Sequence, residues 1–135
     1  MNPVLQKKLS ILIHLASVDG DFAKIEKSFI LDVCGENGVS NQECEKLIEN
    51  PDPIGTLGAL SYNKAVEYMS ECILLMIIDG KIRRSEVLLC EDIGLKLGFQ
   101  KSSIDNVIEE VKEDLSKSRN KIFALVESLP HPGKV

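Results

Sequence analysis

The chain has 135 residues, of which 44% are hydrophobic, 4% are aromatic and 27% are charged, and its net charge is −5. This length is typical of one domain that buries an apolar core without help from metals or disulfides. The acidic balance argues against nucleic-acid binding, which needs a basic surface, and the longest apolar run, Cys72 to Ile78, is too short to cross a membrane.

The first half contains three predicted helices. Apolar residues recur with a helical period from Pro3 to Val18, and Asp19-Gly20 ends this first helix. A second helix is predicted from about Ala23 to Asn37 and ends at Gly38. The segment Ser40 to Glu43 reads as a capping box, so a third helix begins there. The residues of the second helical segment that are expected to face the core are Phe22, Ile25, Phe29, Ile30 and Val33.

The second half follows a connector, Asn50 to Gly58, which is dense in Pro and Gly. One helix is predicted from about Tyr62 to Ile78 and another from about Arg83 to Leu97. The last helical region begins near Ser102 and is either one long helix or two helices broken near residues 116–120. No window alternates polar and apolar residues as a strand would. The sequence therefore predicts an all-α fold, a compact bundle in a single domain over residues 1–135.

The two halves align when the sequence is shifted by sixty residues. Val18 to Glu26 then lies over Ile78 to Glu86, with the Asp-Gly pair, an apolar residue and a Glu in register. Gly38 likewise meets Gly98. We interpret this as an internal two-fold pseudo-repeat of a helix–turn–helix unit. The copies cover about residues 3–50 and 63–115, joined by the connector 50–58 and followed by a tail, 130–135.

Each repeat is centred on the pattern Asp-Gly-x-hydrophobic-x-x-x-Glu, which has a purely structural interpretation. Gly20 and Gly80 end one helix, because glycine readily turns the chain left-handed. Glu26 and Glu86 then fall in the first turn of the next helix, where the helix dipole favours a carboxylate without any ligand.

The alternative interpretation is a metal site, because the pattern matches the second half of an EF-hand loop. The first half of such a loop is missing, since Leu15 and Ser17, like Leu75 and Ile77, stand where ligands are needed. If the two turns are neighbours, they would share one hard cation. The carboxylates available for it are Asp19, Asp21 and Glu26 in one turn and Asp79 and Glu86 in the other.

From about residue 3 to 128, two such turns, each joining an apolar helix to an amphipathic one, resemble the TerB-like family. The resemblance implies a bundle of about seven helices, a bacterial cytoplasmic setting and a link to tellurite or envelope stress. It also implies binding of a divalent cation, Ca²⁺ or Mg²⁺, by acidic turn residues. Those residues correspond here to Asp19, Glu26, Asp79 and Glu86. Lys81, Arg83 and Arg84 depart from the acidic or neutral turns expected, which weighs against a second, independent ion site.

The sequence is compatible with two functions. The first, which we favour, is a non-enzymatic binding module that senses an ion or joins a stress-response assembly through a protein partner. The second is a metal-assisted, hydrolase-like enzyme that uses the same carboxylates and needs a general acid or base, for which His14 is the candidate. The sequence indicates no catalytic residue, no organic cofactor, no nucleic-acid partner and no particular oligomeric state.

The four cysteines fall in apolar helical patterns, and none forms a Cys-x-x-Cys pair. They are Cys34, Cys44, Cys72 and Cys90. We therefore expect four buried, free thiols that pack as small hydrophobic residues. No basic and then apolar leader with a cleavage site begins the sequence, so a cytoplasmic location is expected.

Overall fold

The computed structural model describes residues 2–20 and 22–134. Over these ranges the chain forms seven α-helices and no β-strand, so the prediction of an all-helical bundle of about seven helices is confirmed. In chain order the helices are α1 (Pro3–Ser17), α2 (Lys24–Glu36), α3 (Asn41–Glu49), α4 (Tyr62–Ile77), α5 (Arg84–Lys96), α6 (Lys101–Glu113) and α7 (Arg119–Glu127). The last helical region is thus two helices, broken at residues 114–118.

Local side-chain and backbone chemistry sets the ends of these helices. The hydroxyls of Ser40, Ser61 and Ser118 each accept a hydrogen bond from the amide three residues further on, which begins α3, α4 and α7. Left-handed glycines follow four helix ends, as helix termination by glycine requires. They are Gly20 (φ +82°), Gly38 (+76°), Gly80 (+80°) and Gly98 (+100°).

Helices α1 and α4 form the centre of the bundle. Helix α4 packs against α1, α5 and α7, and α1 also packs against α2 and α5. The predicted inward residues Phe29, Ile30 and Val33 of α2 are buried. The prediction is wrong for Ile25, which is 45% exposed, because the neighbouring Glu26 takes the inward position in the first turn of α2 and is only 2% exposed.

The connector is irregular, as expected, and α1 holds it in place. The Nε2 atom of His14 lies 2.8 Å from the carbonyl oxygen of Asp52, and Lys7 donates to the carbonyl of Thr56 at 2.7 Å. Leu57 of the connector is buried in the core. Within the described ranges, every helix is too short or too polar to span a lipid bilayer.

The tail folds back onto the end of α5 through His131. Its Nε2 lies 2.7 Å from the carbonyl oxygen of Leu97, and its Nδ1 accepts a hydrogen bond from the Gly133 amide at 2.9 Å. Because Nδ1 accepts, Nε2 is the nitrogen that donates to the Leu97 carbonyl. The ring also meets Phe99 edge-on, with centroids 4.7 Å apart. Gly98 makes room for it, since a Cβ there would lie 2.6 Å from Nε2.

All four cysteines are fully buried, as expected. Cys72 and Cys90 are free thiols, and burial raises the pKa of both. The prediction of free thiols is wrong for Cys34 and Cys44, which form a disulfide that links α2 to α3. Gly38 reverses the chain between these helices and allows the two sulfurs to meet. Disulfides persist mainly in oxidising compartments, so this bond argues against the cytoplasmic expectation.

Gly98→Ala should destabilise the fold more than Gly38→Ala. Both substitutions force an alanine into a left-handed conformation, which costs about 1 kcal/mol. Only the Cβ at position 98 also collides with another group, His131, whereas a Cβ at position 38 would meet nothing within 4 Å. Urea unfolding should separate the two variants by at least about 1 kcal/mol. Adding His131→Ala to Gly98→Ala should remove most of this extra destabilisation. If Gly98→Ala and Gly38→Ala lower the free energy of unfolding equally, His131 does not pack against Gly98.

The disulfide predicts a definite thiol count. The denatured chain should show two reactive thiols, those of Cys72 and Cys90, without reductant, and all four after reduction. The native chain should react slowly, because all four sulfurs are buried. Mass spectrometry after alkylation measures both numbers. Four reactive thiols without reductant, in protein purified under oxidising conditions, would show that the Cys34–Cys44 bond does not form.

Candidate cation site at the paired turns

Two glycine turns join the central helices to the next helix in each half. The Gly20 amide donates to the carbonyl of Ser17, and the Gly80 amide donates to that of Ile77, each at 3.0 Å. In the second turn the Asp79 carboxylate also accepts a hydrogen bond from the Lys81 amide at 3.1 Å. These hydrogen bonds fix the backbone of both turns and so the positions of Asp19 and Asp79, which precede the two glycines.

The guanidinium of Arg83 brings the two turns together. Its Nε lies 3.1 Å from a carboxylate oxygen of Asp19, and its Nη1 lies 2.8 Å from one of Asp79. Nη1 also lies 3.7 Å from a carboxylate oxygen of Glu86. Both aspartate side chains are largely shielded from solvent, with exposed fractions of 13% and 15%. One cation therefore joins carboxylates that come from opposite halves of the chain.

Glu26 and Glu86 occupy matching positions at the starts of α2 and α5. Each carboxylate accepts a hydrogen bond from the backbone amide three residues earlier, Ala23 and Arg83 respectively, at 3.2 Å. Both glutamates are buried, with exposures of 2% and 1%. They therefore satisfy orphan amides at the helix N-termini, as the structural interpretation of the pattern expects.

Burial and mutual repulsion set the protonation of these glutamates. Burial raises the pKa of Glu86 to about 7, and the negative charge of Glu26 contributes to the rise. Burial also raises the pKa of Glu26, to which the charges of Asp79 and Asp19 add. The two glycine turns, together with the first turns of α2 and α5, are called the paired turns below; they bring four carboxylates close to the Arg83 guanidinium.

The pKa of Asp79 moves in the opposite direction. Burial works against its charged form, but the hydrogen bonds from Arg83 and from the Lys81 amide outweigh burial and hold the pKa below its ordinary value. Asp79 is therefore the anionic partner of Arg83 at neutral pH.

Of the four predicted ligands, the structure places Asp19, Asp79 and Glu86 around Arg83, while Glu26 caps α2. Asp21 lies outside the described residues. Among the residues that are described, no group of three or more His, Cys, Asp or Glu side chains is placed to hold a metal ion. With Arg83 in this position the carboxylates bind a guanidinium, and they do not form an oxygen cage for a divalent cation.

Sequence reasoning missed a second polar cluster, which lies between α1, α4 and α7. Lys8 contacts Glu67 at 3.0 Å and Glu71 at 2.8 Å, and Arg119 contacts Glu71 at 3.1 Å. Glu71 interrupts an otherwise apolar stretch of α4, which was the one signal available. Its partner Lys8 comes from another helix far away in sequence, so spacing could not reveal the pair.

Comparisons with known protein families, with curated proteins and with solved structures find no match to this chain.

Glu86→Gln should flatten the pH dependence of stability. The folded pKa of about 7 exceeds the ordinary value of 4.5, so the folded state holds this proton more tightly than the unfolded chain does. That contribution to stability is complete below the unfolded pKa and is lost as the pH rises through about 7. Glutamine keeps the acceptor for the Arg83 amide and does not titrate. Between pH about 5 and about 8, the variant should gain on the order of 2 kcal/mol relative to the wild type.

Urea unfolding across this pH range measures the effect. The matched control is Glu109→Gln, because the Glu109 side chain is 71% exposed; its stability should run parallel to that of the wild type. A Glu86→Gln profile parallel to the wild type would contradict the raised pKa.

Proposed function

We propose that the chain is a non-enzymatic binding module built from a duplicated helix–turn–helix unit. The helix bounds support the duplication, because α1 and α4 end at residues 17 and 77, and α2 and α5 begin at residues 24 and 84, an offset of sixty in both cases. The matching capping bonds of Glu26 and Glu86 support it as well. Seven helices are what the resemblance to the TerB-like family implies, and on that resemblance we propose a role in the tellurite or envelope stress response.

A single observation carries the proposal of a cation-linked module: aspartates from both halves contact one cation. Asp19 and Asp79 approach the Arg83 guanidinium at 3.1 and 2.8 Å. A position shared by neighbouring turns is therefore filled by a positive charge that belongs to the chain itself. We infer that Ca²⁺ or Mg²⁺ competes with this guanidinium and binds when it moves away. A protein partner that offers its own carboxylate to Arg83 would favour that exchange.

The contacts of the two histidines favour a module over a metal-assisted hydrolase. Such an enzyme needs a general acid or base beside its carboxylates. His14, the candidate from the sequence, contacts the Asp52 carbonyl in the connector, and His131 contacts the Leu97 carbonyl at the end of α5. Both imidazoles thus have positioning roles away from the paired turns.

We propose that the chain is located in the cytoplasm, as the resemblance to the TerB-like family implies. There, cellular thiols would hold Cys34 and Cys44 reduced, so the disulfide is the observation that stands against this part of the proposal. Acid quenching of intact cells, followed by alkylation of the denatured chain, tests it: two blocked and two oxidised sulfurs would place the chain in an oxidising compartment.

Arg83→Gln should create a stronger response to divalent cations than the wild type has. The substitution removes the competing positive charge that lies beside Asp19, Asp79 and Glu86. At a hundredfold excess over the dissociation constant, a bound ion raises the free energy of unfolding by about 2.7 kcal/mol. Thermal melting with Ca²⁺, Mg²⁺ and no metal measures this. We expect a small gain for the wild type and a clear gain for Arg83→Gln.

Arg84→Gln is the matched control, since it removes the same charge one position along, where the side chain is exposed. It should respond as the wild type does. Adding Asp19→Asn and Asp79→Asn to Arg83→Gln should abolish the gain. If millimolar metal fails to stabilise Arg83→Gln, the paired turns are not a divalent-cation site.

A further inference from the structure

The second polar cluster forms a row of alternating charges, which we call the charge ladder: Lys64, Glu67, Lys8, Glu71 and Arg119. Neighbours along this row lie 3.4, 3.0, 2.8 and 3.1 Å apart. The side chains of Lys8 and Glu71 in its middle are each only 8% exposed. The two end members, Lys64 and Arg119, are about half exposed, at 49% and 47%.

The buried middle of the ladder is not explained by stability alone. Taking a lysine and a glutamate out of water costs several kcal/mol per charge, and their attraction seldom does more than offset that cost. Apolar residues at positions 8 and 71 would fill the same space between α1 and α4 without this cost. Buried charges that border an open cavity therefore indicate a binding site.

Two adjoining cavities flank the charge ladder. One has a volume of about 370 Å³ and the other about 400 Å³, and both are bordered by Lys8, Asn37, Lys64 and Glu67. The first cavity also reaches Arg119, Glu36 at the end of α2 and Phe123 on α7. A volume near 370 Å³ is within the range of small-molecule sites and suits a ligand the size of a single amino acid.

The charged side chains that line the first cavity differ in how far their hydrogen-bonding groups are already used in ion pairs. The two ladder carboxylates are already paired, Glu67 with Lys64 and Lys8, and Glu71 with Lys8 and Arg119. The Arg119 guanidinium uses Nη1 for Glu71, and it has further N–H donors to offer.

The cavity lining also includes one further carboxylate, that of Glu36. Within residues 2–20 and 22–134, no hydrogen bond or ion pair involves the Glu36 carboxylate. The lining thus offers spare cationic donors and one spare carboxylate. Phe123, whose ring is 37% exposed, adds an apolar surface.

We propose that this cavity binds a free α-amino acid with an apolar side chain. The ligand carboxylate meets Arg119 and Lys64, its ammonium meets Glu36, and its side chain packs on Phe123. A bidentate guanidinium–carboxylate contact is among the strongest polar contacts available to a small ligand. The proposal does not depend on the cation site at the paired turns, which uses none of these residues.

Calorimetric titration with L-leucine and two derivatives tests the zwitterion directly. N-acetyl-L-leucine lacks the ammonium, and L-leucinamide lacks the carboxylate. We expect L-leucine to bind and each derivative to bind at least roughly tenfold more weakly, since each leaves one charged group of the cavity unpaired. Absence of heat with millimolar L-leucine would overturn the proposal. So would equal binding of N-acetyl-L-leucine, which would indicate a simple anion site.

Substitutions assign the ends of the ligand. Glu36→Gln should weaken L-leucine at least roughly tenfold and leave the already weak N-acetyl-L-leucine unchanged, whereas Arg119→Gln should weaken both. Because Arg119 also pairs with Glu71, its variant is compared at matched folded fraction, and Lys64→Gln serves as a second test of the carboxylate end. The controls are Asp32→Asn on α2 and Lys121→Gln on α7, exposed residues outside the cavity lining. Unchanged affinity in Glu36→Gln would overturn the proposal.

Discussion

The Arg83 guanidinium is the contact on which the arrangement of the two turns depends. It joins Asp19, which follows α1, to Asp79, which follows α4, and it does so from the residue just before α5. A guanidinium suits this place because it stays charged at every relevant pH and offers several donors in one plane. A Ca²⁺ or Mg²⁺ ion would instead need a cage of about six or more oxygen ligands. One side chain of the chain itself thus supplies positive charge to both acidic turns.

The buried glutamates show why the two turns are not equivalent. Glu26 and Glu86 make the same capping bond, but residue 23 is an alanine where residue 83 is an arginine. The two turns therefore share one guanidinium, and Asp19 of the first turn pairs with a cation from the second half of the chain. This dependence leaves Glu86 with a raised pKa, because burial and the charge of Glu26 outweigh the Arg83 contacts. Proton uptake by Glu86 is a second way of lowering the excess negative charge.

The sequence predicted the helices well, because period, capping residues and glycine stops are local signals. It also singled out Asp19, Asp79 and Glu86, three residues that the structure gathers around Arg83. What it missed depends on contacts between elements. Ile25 is exposed because Glu26 takes the inward position, where its carboxylate accepts a hydrogen bond from the Ala23 amide. The periodicity of apolar residues contains no information about such a hydrogen bond. The Cys34–Cys44 bond and the Lys8–Glu71 pair each require two helices to meet, and no spacing in one sequence encodes that meeting.

The paired turns and the charge ladder have opposite imbalances. At the turns, one guanidinium contacts three carboxylates and a fourth, that of Glu26, is close enough to feel its charge; along the ladder, three cations alternate with two carboxylates. In a partly buried setting an unbalanced charge is costly until a counter-charge arrives. The first cluster is therefore completed by positive charge, from Arg83 or from a proton on Glu86, and in our proposal from a divalent ion. In the second, Lys64 and Arg119 at the exposed ends are the residues that, in our proposal, meet the carboxylate of the ligand. Lys8 lies on α1 and Glu71 on α4, and the two acidic turns follow directly after these same helices, so α1 and α4 position the residues of both clusters.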